Sequence, residues 1–194
     1  MGMDLLLSLC IGIGLSAACG FRVFVPLLIT SIAAKTGHLT LVPAFQWIGS
    51  DIALWTFATA TVLEIGAYYI PWLDHVLDVI ATPVAITAGI IITASMVGGL
   101  DPFLKWTLAV IAGGGAAGLV HAATAVTRGA STATTGGLGN PIFATIELGG
   151  SFLTSVLAVI APVVTVVFLA SILLLVAMKI LPKFRKRTMQ IPPG

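Results

Sequence analysis

Ile142-Phe-Ala-Thr-Ile-Glu147-Leu-Gly-Gly-Ser-Phe-Leu-Thr-Ser-Val-Leu-Ala-Val-Ile160-Ala-Pro162-Val-Val-Thr-Val-Val-Phe-Leu-Ala-Ser-Ile-Leu-Leu-Leu-Val-Ala-Met-Lys-Ile180 runs for 39 residues with one acid and one base. As a single helix it would be about 58 Å long, against a hydrocarbon core of about 30 Å. It therefore reads as two membrane spans joined by a tight turn at Ala161-Pro162. The rest of the chain has the same character. Of its 194 residues 58% are hydrophobic and 8% charged, and the mean hydropathy is +1.13. Soluble domains carry about 25% charged residues. Nine basic and seven acidic side chains cannot coat a water-soluble globule of this size. Composition thus excludes a soluble enzyme, a nucleic-acid binder and a disordered linker, and makes the lipid bilayer the main partner.

Working outward from that run, hydropathy predicts six spans: residues 5–34, 52–70, 84–100, 103–126, 142–160 and 163–181. The fold class expected is all-α, a polytopic transmembrane helix bundle forming a single domain over residues 1–194. The first span is long and interrupted by Gly20, Arg22 and Pro26, which predicts a kink or break. Cys10 and Cys19, nine residues apart in that span, point to different helix faces and are not expected to bridge. No basic residue precedes the first apolar run, so it reads as a retained span and not a cleaved signal. Lys179, Lys183, Arg185, Lys186 and Arg187 place the C-terminus in the cytoplasm by the positive-inside rule. Six spans then put the N-terminus there too, with the 72–82 and 127–141 connections and Arg128, while Lys35 and Lys105 fall outside.

The halves of the chain also match each other. Residues 76–84, Val-Leu-Asp-Val-Ile-Ala-Thr-Pro-Val, align with residues 156–163, Val-Leu-Ala-Val-Ile-Ala-Pro-Val, once Thr82 is removed. Upstream of each lies the same signature, Glu64-Ile-Gly66 and Glu147-Leu-Gly149. A repeat of three spans has inverted topology because three is odd. Repeat one would cover about 4–100, repeat two about 103–182, with a basic tail at 183–194. Secondary transporters use this plan, with the site near the midplane between repeats.

Arg22, Glu64, His121 and Glu147 fall inside predicted spans. A charge at the bilayer centre costs at least ~2.5–3.5 kcal/mol, so such groups face the bundle interior and find partners. An Arg22–Glu64 ion pair between neighbouring helices is the expected arrangement, with His121 and Glu147 in corresponding places of the second half. These residues, with Asn140, are the candidate ion or solute pathway; fixing helix register is the structural alternative. Asp74 and Asp78 share a helix face at i, i+4 with His75 beside them, a weak divalent-cation set. Two acids and one His fall short of a ligand set, so a solvated interfacial turn with Trp72 at headgroup level is the better account of them. The Ser/Thr/Gly-rich stretch 131–141 reads as a polar, flexible segment before a helix that Pro141 opens; with Arg128 near, it suits an anion or phosphate, and equally a re-entrant gate or a plain loop. Gly113-Gly-Gly115 and Gly118 predict close helix packing in the fourth span. There is no Walker pattern, His-Glu-x-x-His or nucleophile elbow, and no resident cofactor is expected.

Several of these segments together resemble an uncharacterised bacterial membrane family, the domain of unknown function 4126. The resemblance rests on Ser16-Ala-Ala-Cys-Gly-Phe-Arg22-Val-Phe-Val-Pro26, Ile70-Pro-Trp-Leu-Asp74-His75-Val-Leu-Asp78, Thr82-Pro83 and Ser131-Thr-Ala-Thr-Thr-Gly-Gly-Leu-Gly-Asn140-Pro141. It implies a small multi-pass protein of the bacterial inner membrane and carries no activity with it. Where the family tends to place Asp-Lys before the Ile-Pro, this chain has Tyr68-Tyr69. The function expected is a transporter or channel for an ion or small solute, with a homodimer compatible with that role. The alternatives are a metal-dependent membrane enzyme or lipid-phosphate binder using Asp74, His75 and Asp78, and an assembly partner with no site.

Overall fold

The computed structural model describes residues 2–188, apart from the side chains of residues 71–79, 176–177 and 179–188. Eight helices and no strand are found among the described residues. They are α1 (Gly2–Cys19), α2 (Phe24–Lys35), α3 (Asp51–Ala67), α4 (Pro71–Met96), α5 (Pro102–Leu108), α6 (Gly115–Thr135), α7 (Asn140–Ile160) and α8 (Pro162–Thr188). A 3-10 segment, Pro43–Gly49, precedes α3, and a π-helical segment, Ala109–Gly114, fuses α5 to α6 into one rod of 34 residues. Starts are chemically marked. Proline sits in the first turn of α4, α5 and α7, where its missing N–H leaves nothing unpaired. Ser50 caps Ala53 N–H, and the Asp101 carboxylate accepts from Phe103 and Leu104 N–H.

Two of these helices, Pro102–Thr135 and Asn140–Ile160, are long and apolar enough to cross a membrane. The segments Pro43–Gly49 and Asp51–Ala67 make a third span if their 59° bend lies within it. The side chains follow suit. Large apolar residues such as Ile52, Ile111 and Leu138 are at least 70% exposed, while Ser16, Thr30, Thr93, Ser151 and Ser155 are fully buried. Apolar outside and small-polar inside is how helices pack in lipid.

The central element is α1, which contacts α2, α4, α6, α7 and α8. Small residues set these approaches. Gly113 lies against α4 so tightly that a Cβ there would be 2.5 Å from the Gly89 carbonyl oxygen. Ser16 of α1 donates its hydroxyl to that same carbonyl at 2.7 Å and lies 2.9 Å from the Thr93 hydroxyl.

The first span was expected as one crossing with a kink or a break, and it is broken. The chain breaks at 20–23, and α2 then folds back. Thr40, Leu41, Val42 and Pro43 line one cleft with Asp4, Leu5 and Ser8 at the start of α1. Were α2 to continue along α1, its end would lie about 45 Å from that start, and the five residues to Thr40 reach at most about 17 Å. So α1 and α2 form a helical hairpin within the bundle. It puts the start of α1 at the same end as residues 36–50, which the single-span reading had placed on opposite faces.

Three further boundaries differ. Residues 72–82, expected as a connection, belong to α4, which runs unbroken through Pro83. The stretch 131–141, expected as a loop, is helical to Thr135, with Thr134 and Thr135 hydroxyls bonded back to Ala130 and Ser131 carbonyls. A short turn follows, where Gly136 and Gly137 take left-handed φ of 62° and 91°. The basic residues 183–187 lie on α8, which continues to Thr188. Cys10 and Cys19 are free, as expected.

Overpacking costs about 1–3 kcal/mol, so Gly113→Ala should lower the unfolding temperature measured by circular dichroism in detergent. Gly129→Ala, whose added Cβ meets nothing within 4 Å, should leave it unchanged or raise it. Equal effects would show that the Gly113–Gly89 approach is not a tight one.

Candidate functional site

Breaking a helix inside a membrane frees backbone groups that lipid cannot satisfy. The residues around the break at 20–23 answer this almost group by group. Ala18 carbonyl accepts from Phe21 and Arg22 N–H and from the Ser151 hydroxyl of α7 at 3.0 Å. Gly20 carbonyl faces His121 Nδ1 of α6 at 3.2 Å. On the far side, α2 begins with free N–H donors. Glu64 of α3 accepts from Val23 N–H at 2.9 Å and Phe24 N–H at 3.1 Å, one with each carboxylate oxygen. Pro26, two residues on, has no N–H to satisfy. A carboxylate at the positive end of α2 is also electrostatically favourable. Gly20 is required here because a Cβ would lie 2.6 Å from the Ala117 carbonyl of α6.

Arg22 projects from the break into the bundle and is 2% exposed. Its Nη2 donates to Ala144 carbonyl at 3.0 Å and lies 3.6 Å from Glu147 Oε2. Glu147 is bound more closely by Arg128, whose Nε reaches Oε1 at 2.8 Å and whose Nη2 contacts Oε2. Two guanidiniums thus share one carboxylate. Both also lie over the Tyr68 ring, Arg22 at 3.6 Å and Arg128 at 4.3 Å from its centroid. Tyr69 and Thr145 hydroxyls, 2.9 Å apart, tie α7 to the end of α3 nearby. Asn140 pairs with Thr132 across the α6–α7 turn at 3.2 Å.

The structure therefore gathers Arg22, Glu64, His121 and Glu147 around one break, with Asn140 at the neighbouring turn. The expected pairing is corrected. Arg22 has its ion pair with Glu147, and Glu64 is occupied by backbone, because the fold-back of α2 turns its N–H groups toward α3. Arg128, expected in a cytoplasmic loop, is buried and paired. Tyr68 and Ser151 were not among the expected site residues. The signal for Arg128 lay in the stripe His121, Thr124, Arg128, Ser131, which keeps to one face if the helix runs on past 126. Asp74, His75 and Asp78 have side chains outside the described residues, so the proposed cation set falls there. Among the described residues no cluster of three or more metal-ligating side chains occurs.

A family profile described as a domain of unknown function, DUF4126, matches residues 9–182. The chain belongs to that family. The match takes in α1 from its second turn, the break, and every side chain of the Arg22–Glu147 cluster. No curated protein and no solved structure matches the chain.

Removing one partner of a buried ion pair costs about 3–5 kcal/mol because the other charge is stranded. Glu147→Leu should therefore destabilise the DUF4126 chain strongly, and Arg128→Met with Glu147→Leu should recover part of the loss. Thermal unfolding in detergent reads this; a double variant no better than the single would show that Arg128 and Glu147 are not coupled.

Proposed function

We propose that the chain is a small transporter or channel for an ion or small solute, with its site at the α1–α2 break. The observation that carries this is the convergence of Arg22, Glu64 and Glu147, from three different elements, on one interrupted helix within an apolar bundle. Interrupted helices in lipid are tolerated where their ends face protein or a cavity, and they serve transporters as ion and solute sites. In this reading Arg22 holds the solute, and Glu64 and Glu147 are the coupling or gating charges.

The two matched halves, about 4–100 and 103–182, each contribute one of the two glutamates; because the α1–α2 hairpin returns to the end it started from, the first half does not make the three crossings that a six-span inverted plan requires. The pairing of α2 with α3 and of α6 with α7 supports the correspondence. Pro83 lies within α4 whereas Pro162 opens α8, so the halves have diverged where their sequences match best. The basic tail places the C-terminus on the cytoplasmic side of the bacterial inner membrane.

The test is flux into proteoliposomes holding the full chain, screened over monovalent cations, halides and small carboxylates. Glu64→Gln keeps one carbonyl oxygen for the α2 donors and removes the charge. It should reduce flux at least about tenfold while the protein still reconstitutes. Flux equal to that of protein-free vesicles for every solute, or unaffected by Glu64→Gln, would remove the reading.

A further inference from the structure

The fold-back of α2 decides which face of the membrane every later helix reaches. The start of α1, residues 40–43 and the end of α4 share one cleft, with Asp4, Ser8, Thr40, Val42 and Gly98 among its walls. Val42 N–H also donates to the Ser95 carbonyl at 2.9 Å. These three segments stand together at one end of the bundle, the near end. With 12 residues, α2 is about 18 Å long and cannot cross a hydrocarbon core of about 30 Å. The α1–α2 hairpin therefore enters and leaves by the near end. From there α3 runs down to the break, where Glu64 meets Val23 and Phe24, and α4 climbs back over 26 residues, about 39 Å.

The second half starts at the near end as well, because the rod begins just after Leu100, a further residue of that cleft. It passes the break at His121 and ends at Thr135. Asn140 pairs with Thr132 and Glu147 with Arg128, so α7 runs antiparallel to it. Ser151 and Ala158 then follow α1 upward, against Ala18 and Gly14. At Ala161, with φ −137° and ψ 65°, the chain turns sharply. A Cβ on Gly14 would touch both Ala158 Cβ, at 2.7 Å, and Thr165 Cγ2, at 3.3 Å. In an unbroken helix residues seven apart are separated by about 10 Å along the axis. Beyond the turn, Val164, Val167, Phe168 and Leu174 are at least 60% exposed, so α8 has to stay in lipid. As α7 is long enough to cross by itself, the lipid open to α8 is the bilayer just traversed, and α8 returns toward the far end.

The crossings among the described residues are thus α3, α4, the rod, α7 and α8, an odd number. Lys179, Lys183, Arg185, Lys186 and Arg187 go with the far end, Lys35 and Lys105 with the near end. Arg128 is buried against Glu147 and drops out of the loop charge. The positive-inside rule then makes the far end cytoplasmic. We infer that α1 and α2 form a re-entrant hairpin entering from the outer face of the membrane, so that the start of α1 faces outward and the end of α8 faces the cytoplasm. This replaces the arrangement expected from six spans, in which both lie in the cytoplasm, and it holds whatever solute uses the break.

Cysteine accessibility in the full chain tests it, with a membrane-impermeant maleimide applied to spheroplasts and, separately, to lysed membranes. Cys10 and Cys19 are buried, so the unsubstituted chain gives the background. Met3→Cys and His38→Cys report the near end, Leu138→Cys and Gln190→Cys the far end. Met3, His38 and Leu138 are all exposed, and two reporters at each end guard against one variant that fails to insert. Met3→Cys and His38→Cys should label fully in spheroplasts, while Leu138→Cys and Gln190→Cys should label only after lysis. Met3→Cys and His38→Cys on opposite sides, Met3→Cys and Gln190→Cys on the same side, or the whole pattern reversed overturns the inference.

Discussion

The bundle is organised around the need to satisfy a helix broken in a solvent that offers no hydrogen bonds. Between Cys19 and Phe24 the backbone gives up its own ladder, and α3, α6 and α7 each supply a polar side chain to replace it. Glu64 takes the donors of α2, His121 faces the Gly20 carbonyl, and Ser151 bonds to that of Ala18. This is why the polar residues of a chain with so few of them are gathered in one place. Were the break sealed by a continuous helix, those three side chains would have no partners and would themselves be costly in the interior.

The arginines add a second layer to the same centre. Arg22 belongs to the break, so its position is fixed by the turn, whereas Arg128 arrives from a straight helix and is held by Glu147 and by the Tyr68 ring. Keeping two like charges on one aromatic ring and one carboxylate is an unusual use of scarce charge. Among the described residues, the buried nitrogens of this cluster without a hydrogen-bond partner are Arg22 Nε and Nη1.

Much of this was legible in the residues. Charge scarcity places the chain in lipid, and the ionisable residues standing inside apolar runs, Arg22, Glu64 and Glu147, are the ones the structure brings together. The interruption at Gly20-Arg22-Pro26 was also readable. The direction taken after it was not. Hydropathy reports that residues 5–34 are apolar but carries no sign of whether α2 continues or returns, and the Arg22–Glu64 pairing failed for that reason. Arg128 was misplaced because a Ser/Thr/Gly-rich stretch resembles a loop. In lipid, hydroxyls bonded to carbonyls one turn back let such a stretch stay helical. Residues 72–82 were read as a connection between two apolar runs, yet α4 runs through them and on through Pro83, and a proline in a membrane helix need not end it.

The π-helical segment Ala109–Gly114 gives the rod from Pro102 to Thr135 a further property. A π turn takes in one residue more than an α turn, which advances the phase of all that follows by about 100°. Gly113 and Gly114, within the segment, seat on α4, and Ala117 just beyond it still packs on Gly89; Val120, His121 and Arg128, farther on, are turned toward the break and its partners. The segment thus acts as a coupling between two rotational settings, letting one helix present its glycines to one neighbour and its polar stripe to another.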